Sequence, residues 1–314
     1  MATPHSRSPT GDDDTRPAKR ARHSPPPGTM NGNGNGHSAD AMSPLSLSIL
    51  GVEPLDEFTV EIADFIHHHI VNRPPGLTGH IEVEAKLGVL KGKGTDQRLA
   101  LPVSTETVIN AGYNQELRFD ANMSMQQHKH FNMLLNDLKT GVHQRPPGSS
   151  DISYAHLHLK DSFYEGEHRS EKIRVTRDER TNEVLETLRK VRLGDMNVYC
   201  PKRACDWRIS VNVEIPVEHP VGTPTHTRKK DRISYTHEEL RIDLTQVTSQ
   251  QGGPSGPTEI THELEIEVAR PALLMELASK RGDGSLPDQE RDAFNELIRA
   301  FVNNARILVR NADG

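Results

Sequence analysis

Apolar and charged residues alternate with a period of two along two short stretches, Ile81-Glu82-Val83-Glu84-Ala85-Lys86-Leu87 and His262-Glu263-Leu264-Glu265-Ile266-Glu267-Val268. Successive side chains of a strand point to opposite faces, so the pattern predicts two strands, each with one charged and one hydrocarbon face. Glu82, Glu84 and Lys86 share a face of the first; Glu263, Glu265 and Glu267 share a face of the second. Carboxylates two residues apart on a strand are roughly 6.6 Å apart, too far to hold one ion unless a facing strand adds ligands. Elsewhere the same alternation carries bases. Arg228, Lys230 and Arg232 take alternate positions within residues 227–235, and Lys172, Arg174 and Thr176 alternate with Ile173 and Val175. Mixed rows follow the same rule: Arg208, Ser210, Asn212 and Glu214 against Trp207, Ile209, Val211 and Val213, and Arg241, Asp243 and Thr245 against Leu240, Ile242 and Leu244. Ordinary half-exposed strands mix signs on the wet face, whereas here acids gather on two strands and bases on others. A closed barrel with a charged interior explains that segregation, with hydrocarbon facing outward under helices.

Helical spacing appears at both ends of this strand-rich region. Phe58, Ile62, Phe65, Ile66 and Ile70 predict a helix over 56–71, stopped by Pro74-Pro75-Gly76. Met125, Phe131, Leu134, Leu135 and Leu138 predict a second over 122–139, followed by a loop over 144–151. Residues 152–268 read as an antiparallel meander of short strands, with turns at Arg180-Thr181-Asn182-Glu183, at Gly194-Asp195 and over 250–257. After Pro271 a short helix and a longer one are expected, the latter with Phe294, Leu297, Ile298, Phe301, Val302, Ile307 and Leu308 as its stripe. The class is α+β: a closed antiparallel barrel flanked by helices.

Composition changes the picture at the amino end. Only 33% of the 314 residues are hydrophobic and 4% aromatic, thin for that length. Residues 1–45, rich in Ser, Pro, Asn and Gly, are expected to be a disordered tail, leaving 46–314 as the folded domain. Within the tail, Arg16-Pro17-Ala18-Lys19-Arg20-Ala21-Arg22 resembles a nuclear-import signal, so a nuclear location is expected. Ser8, Ser24 and Ser43 each precede a proline, which in such a tail carries no assignment. No apolar run reaches the length of a membrane span, and no secretory signal opens the chain, so a soluble protein without membrane contact is expected.

Candidate chemistries narrow quickly. Cys200 and Cys205 are too few for a disulfide framework or a thiolate zinc site and read as structural thiols. A cysteine-nucleophile phosphatase needs Arg six positions after Cys, where Asp206 and Val211 stand. Lys91-Gly92-Lys93-Gly94-Thr95 is a turn, not a phosphate loop. Histidines 67–69 do not suit one metal, and a net charge of −6 leaves only local contacts to nucleic acid. Carboxylates suit magnesium or manganese, and arginine and lysine suit phosphate. A lumen holding both describes a site for a divalent ion and a polyanion.

The paired Glu-x-Glu strands and alternating basic strands resemble the triphosphate tunnel metalloenzymes, and among them the fungal polynucleotide 5′-triphosphatases, the beta subunit of the mRNA capping enzyme. The resemblance covers residues 56–268, and its most specific segments are 81–88, 172–180, 206–216, 228–235, 241–245 and 261–268. It implies an eight-stranded antiparallel barrel whose tunnel holds the triphosphate end of nascent RNA. It also implies that Glu82, Glu84 and Glu267 bind Mg2+ or Mn2+, with Lys86, Glu263 and Glu265 supporting the wall and Glu265 counted in the catalytic set. Arg174, Lys230 and Arg232, joined by Lys190, would hold the γ-phosphate. Glu214 would position the attacking water, and Arg228, Arg241, Asp243 and Thr245 would line the substrate path. For Arg241, Asp243 and Thr245 a structural network is an equal reading. The implied reaction yields diphosphate-ended RNA and orthophosphate, the first step of capping, with the mRNA guanylyltransferase as partner and homodimers as in some relatives. Two other readings stay open: a tunnel-fold hydrolase of ATP, thiamine triphosphate or polyphosphate, and a non-catalytic module that binds polyphosphate or RNA ends.

Overall fold

The computed structural model describes residues 45–46, 48–51, 53, 56–141, 150–166, 171–250 and 256–313. The basic cluster and the Ser-Pro dipeptides fall outside these. The chain divides into two compact units, Met1–Glu53 and Pro54–Gly314. In the first, residues 48–51 form a turn closed by Gly51 N donating to Ser48 O at 3.1 Å.

Helix α1 (Glu57–Val71) precedes strand β1 (His80–Gly92). The short strands β2 (Thr107–Val108) and β3 (Leu117–Asp120) follow, and then helix α2 (Met125–Thr140). Seven strands come next: β4 (Ser153–Glu165), β5 (Lys172–Asp178), β6 (Val184–Tyr199), β7 (Asp206–Pro216), β8 (His226–His237), β9 (Leu240–Gln250) and β10 (Thr258–Val268). Helices α3 (Pro271–Lys280) and α4 (Asp288–Arg310) end the unit. Strands pair antiparallel in the order β10-β9-β8-β4-β5-β6-β7-β1, and β10 pairs back onto β1. Eight strands thus close into the expected barrel, with β3 added beside β1 and β2 beside β6. The strands are longer than the short segments expected from turn signals, because barrel strands are tilted and each must cross the whole wall.

Local sequence sets the ends of α2 and the start of α3. In α2, Ser124 caps the first turn by accepting from Gln127 N at 3.1 Å, and Gln127 Oε1 accepts from Ser124 N at 3.2 Å. Gly141 ends it in the left-handed conformation at φ 74°. Helix α3 begins on Pro271, whose fixed φ suits the first helical position.

The barrel is apolar outside and charged inside. Ile81, Val83, Ala85 and Leu87 of β1, Trp207, Ile209, Val211 and Val213 of β7, and Leu264 and Ile266 of β10 are all buried on the outer face. They pack in one core with Ile62 and Ile66 of α1, Leu274 of α3 and Phe294, Ile298, Phe301 and Val302 of α4. The outer wall of β4 is wet by contrast: its first six residues, 153–158, are exposed.

The pair Gly194-Asp195, expected to be a turn, lies within β6. The β6–β7 register shifts between Arg192 and Gly194. Such a bulge inserts one residue and flips the faces beyond it. Lys190 therefore points into the lumen before it, Asp195 and Asn197 take the inner side after it, where they bond Ser210 and Arg208 within the wall, and Met196 and Val198 turn out into the core. A Cβ at position 194 would stand 2.2 Å from His69 Nε2, so glycine is what lets α1 approach the bulge.

One polar cluster fastens the loop after β1 to the β6–β7 turn. The fully buried Asp206 accepts from Leu90 N at 2.9 Å, Cys200 N at 2.9 Å, and Arg98 Nε and Nη2 at 3.0 and 2.5 Å. Removing the carboxylate strands two buried amides and a guanidinium, so Asp206→Ala is expected to destabilise the fold by about 3–5 kcal/mol. Urea denaturation followed by the fluorescence of Trp207, the one tryptophan of the chain, measures it. A change below about 1 kcal/mol would contradict the assignment.

Candidate active site

The inward rows line one cavity of about 990 Å³ running through the barrel. Its acidic wall is built at the seam between β1 and β10, where Glu84 stands opposite Glu267 and Lys86 opposite Glu265. Strand β7 flanks β1, with His80 opposite Glu214 and Glu82 opposite Asn212. Lys86 Nζ lies 2.7 Å from Glu265, 3.6 Å from Glu84 and 3.8 Å from Glu263. Lys190 reaches across from β6 to pair with Glu82 and with Glu84 at 3.3 Å. Lys190, expected from the sequence among the bases that would hold the γ-phosphate, sits instead among the carboxylates. Asn212 Nδ2 donates to Glu82 at 2.9 Å and to Glu84 at 3.4 Å. Its buried Oδ1 has no partner.

The basic wall is assembled from β4, β5, β8 and β9. Lys230 lies 2.8 Å from Asp161, Arg228 donates from Nε to the same carboxylate at 3.0 Å, and Thr176 Oγ1 donates at 2.8 Å. Arg232 bridges the walls: Nη1 lies 2.7 Å from Asp243, Nη2 donates to Glu265 at 2.8 Å and Nε to Thr245 Oγ1 at 3.1 Å. Asp243 itself is buried in the wall, where it accepts from Ser234 Oγ at 2.5 Å. Arg241 pairs with Glu267 and lies 3.5 Å from Asp243. Arg174 donates to Glu186 at 2.9 Å and to Glu214 at 3.5 Å. Every residue singled out from sequence therefore faces the lumen, except Asp243, which supports Arg232 and Arg241 from within the wall.

Three groups escaped sequence reasoning. Asp161 is the fully buried anchor of the basic wall, but on β4 its row continues through Leu157, Leu159 and Phe163, so no polar alternation marks it. Asn212 is uncharged, so an alternation of charge does not mark it. Glu186 precedes the Lys190 segment in an exposed-looking stretch.

Electrostatics separate the walls. Burial raises the Glu84 carboxyl, and Glu82 and Glu265 add to it against Lys86 and Lys190. Burial also pushes Glu267 up to about 8; Arg241 opposes this, but Glu82, Asp243 and Glu265 reinforce it. Glu265 goes the other way, because Lys86 and Arg232 overcome its burial. On the opposite wall burial drives Lys230 down to about 8, with Arg232, Arg174 and Arg228 adding repulsion that Asp161 only partly offsets. The acidic wall is thus short of positive charge and the basic wall short of negative charge.

Such a tunnel identifies its relatives. The family described as "mRNA capping enzyme, beta chain" matches residues 52–313. The chain belongs to that family. The mRNA-capping enzyme subunit beta of Schizosaccharomyces pombe is 37% identical over 273 residues, which span 86% of this chain and 86% of that protein. The subunit beta of Cryptococcus neoformans is 34% identical over 276 residues, 86% of this chain and 65% of that longer protein. A solved structure, the S. pombe Pct1 RNA triphosphatase, is similar with a TM-score of 0.75 at 35% identity, covering 86% of this chain and 99% of that one. The same protein in complex with the Spt5 CTD has the same TM-score and identity.

Lys230 supplies a pH signature. Its charge is lost as pH rises through about 8. The kcat/KM for a triphosphate, which reports the free enzyme, is expected to fall above that pH, and Lys230→Arg should move the fall upward. Stability responds with the opposite sign. The unfolded lysine holds its proton to its ordinary value, so stability from this group rises between about pH 8 and that value. An alkaline limb unchanged in Lys230→Arg would assign the titration elsewhere.

Proposed function

We propose that this chain is a divalent-metal-dependent RNA 5′-triphosphatase, hydrolysing the γ-phosphate of nascent mRNA to leave a 5′-diphosphate end. One observation carries the reading: the carboxylate pair Glu84 and Glu267 and the cations Arg174, Lys230 and Arg232 line the same lumen, each wall lacking the charge that a metal–triphosphate would bring. The donor set fits a hard divalent ion. Glu82, Glu84 and Glu267 offer carboxylate oxygens from two paired strands, Asn212 Oδ1 is a buried carbonyl oxygen without a partner, and burial holds two of the three carboxyls above their ordinary range. Bound there, Mg2+ or Mn2+ would withdraw charge from the phosphoryl oxygens.

The chain's own residues do the rest. Arg174, Lys230 and Arg232 hold the γ-phosphoryl oxygens, so that charge gathering on them in the transition state meets fixed positive groups. Asp161 keeps Lys230 and Arg228 in place, and Asp243 does so for Arg232. Glu214, steadied by Arg174, orients the attacking water and accepts its proton. Lys86 and Lys190 keep the carboxylates from repelling one another while the metal is away. In this reading Glu265 positions Lys86 and Arg232 and does not bind metal.

Capping assigns the surroundings. The RNA end is the substrate, the mRNA guanylyltransferase the partner that follows, the nucleus the location, and a homodimer the assembly. An Spt5 carboxy-terminal domain, which the S. pombe relative binds, is a further partner proposed for this chain.

Release of phosphate from γ-labelled RNA, with Mg2+, Mn2+ or chelator, tests the activity. Turnover should require the metal, and Glu84→Ala should reduce it by at least about 100-fold. Binding of triphosphate-ended RNA without metal-dependent release would instead support a binding module. Faster turnover of ATP, thiamine triphosphate or tripolyphosphate than of RNA would favour a hydrolase of small triphosphates.

A further inference from the structure

On the outer wall, away from the lumen, β4 and β8 bring together three potential ligands that the tunnel does not use. His156 and His158 are two residues apart on β4, so both imidazoles rise from the same outer face. Asp231 of β8 stands directly opposite His158 in the ladder and one diagonal from His156. His156 Nε2 lies 2.5 Å from Asp231 Oδ1, His158 Nδ1 lies 3.7 Å from the same oxygen, and the two rings are 4.6 Å apart. One ligand atom from each of the three residues falls within 4.8 Å of the other two. Both strands are held in an unbroken register from Ser153↔Thr236 to Phe163↔His226, so the positions are set by the sheet and not by a loop.

We propose that His156, His158 and Asp231 form a second metal site, selective for a zinc-class transition ion. The ligands decide the class. Two imidazole nitrogens and one carboxylate suit Zn2+, Co2+ or Ni2+, whereas Mg2+ prefers an all-oxygen set such as the tunnel offers. Distances fit with small movements. Ligands of a tetrahedral zinc at about 2.0–2.1 Å stand about 3.3 Å from one another. His156 and Asp231 must therefore part slightly from their hydrogen bond, and His158 must close in, which rotation of exposed side chains allows.

A plain surface ion pair accounts for less of this arrangement. An exposed His–Asp pair is satisfied by one imidazole, and the second, at 3.7 Å, is beyond hydrogen-bonding distance of that carboxylate oxygen. Lys229, the neighbour of Asp231, is engaged by Glu179 at 2.5 Å, so Asp231 is left facing the histidines. Three ligands on an open wall leave the remaining positions of the ion to water. The bound ion would staple β4 to β8, the strands whose inner faces carry Asp161, Arg228, Lys230 and Arg232.

Titration of the full, tag-free chain with Co2+ under excess Mg2+ tests the proposal. Magnesium occupies hard-oxygen sites, and cobalt bound by imidazoles in a low-coordinate site absorbs strongly in the visible. One equivalent of such cobalt, displaced by Zn2+, is expected. The His156→Ala/His158→Ala variant should lose affinity by about 100-fold or more. Zn2+ should raise the Tm of the native chain and leave that of the variant unmoved, while Mg2+-supported turnover is the same in both. Equal cobalt spectra and affinities in the two proteins, no cobalt binding to the native chain, or the weak spectrum of an all-oxygen ligand set would each overturn the site.

Discussion

Charge that has been taken out of water must find a partner, and that constraint organises this protein. Moving one ion from solvent to a buried site costs several kcal/mol after relaxation. The tunnel withdraws more than a dozen charged side chains at once, yet nearly all stand within reach of an opposite charge. Lys86 touches three glutamates, Arg232 joins both walls, and Asp161 collects Lys230 and Arg228. The pairing is incomplete in a directed way. Glu84 and Glu267 hold protons more tightly than usual and Lys230 less tightly. The cavity is therefore most comfortable with a cation at one wall and a polyanion at the other.

A lumen of this kind cannot also be the hydrophobic core, so the core lies outside the barrel. The outward rows of β1, β7 and β10 meet α1, α3 and α4. The Gly194 bulge serves both sides at once. It turns Asp195 inward, where Ser210 Oγ donates to it at 2.7 Å, and it frees Met196 and Val198 for the core. A strand in strict alternation would satisfy one side only.

Much of this was legible in the sequence, because a period of two and segregated signs are local properties. The acidic rows of β1 and β10, the basic rows of β5 and β8, and the helices at either end could be read without coordinates. The parts that escaped depend on pairing between distant strands. Asp161 sits in a row otherwise made of Leu157, Leu159 and Phe163, so only the fold reveals that its face is the lumen. Gly194-Asp195 has the composition of a turn, and only its pairing with Val211 and Ser210 of β7 shows that the strand runs on through it. Lys190 shares its sign with the bases of the opposite wall but not their neighbours, and sign alone could not place it on the acidic wall.

The closure of the barrel has a consequence for how the protein matures. Glu84 and Glu267 face each other across the seam between the first and last strands of the barrel, the pairing that spans the longest stretch of chain. Long-range contacts of this kind bear the largest ordering cost and tend to form late. Until they form, the carboxylate set proposed to hold a divalent ion does not exist, so an open-seamed folding intermediate would lack that site. A cation gripping both glutamates, as the proposed metal site would have it, would act as a clasp: its binding energy would hold the two ends of the sheet together, and maturation would become sensitive to metal supply.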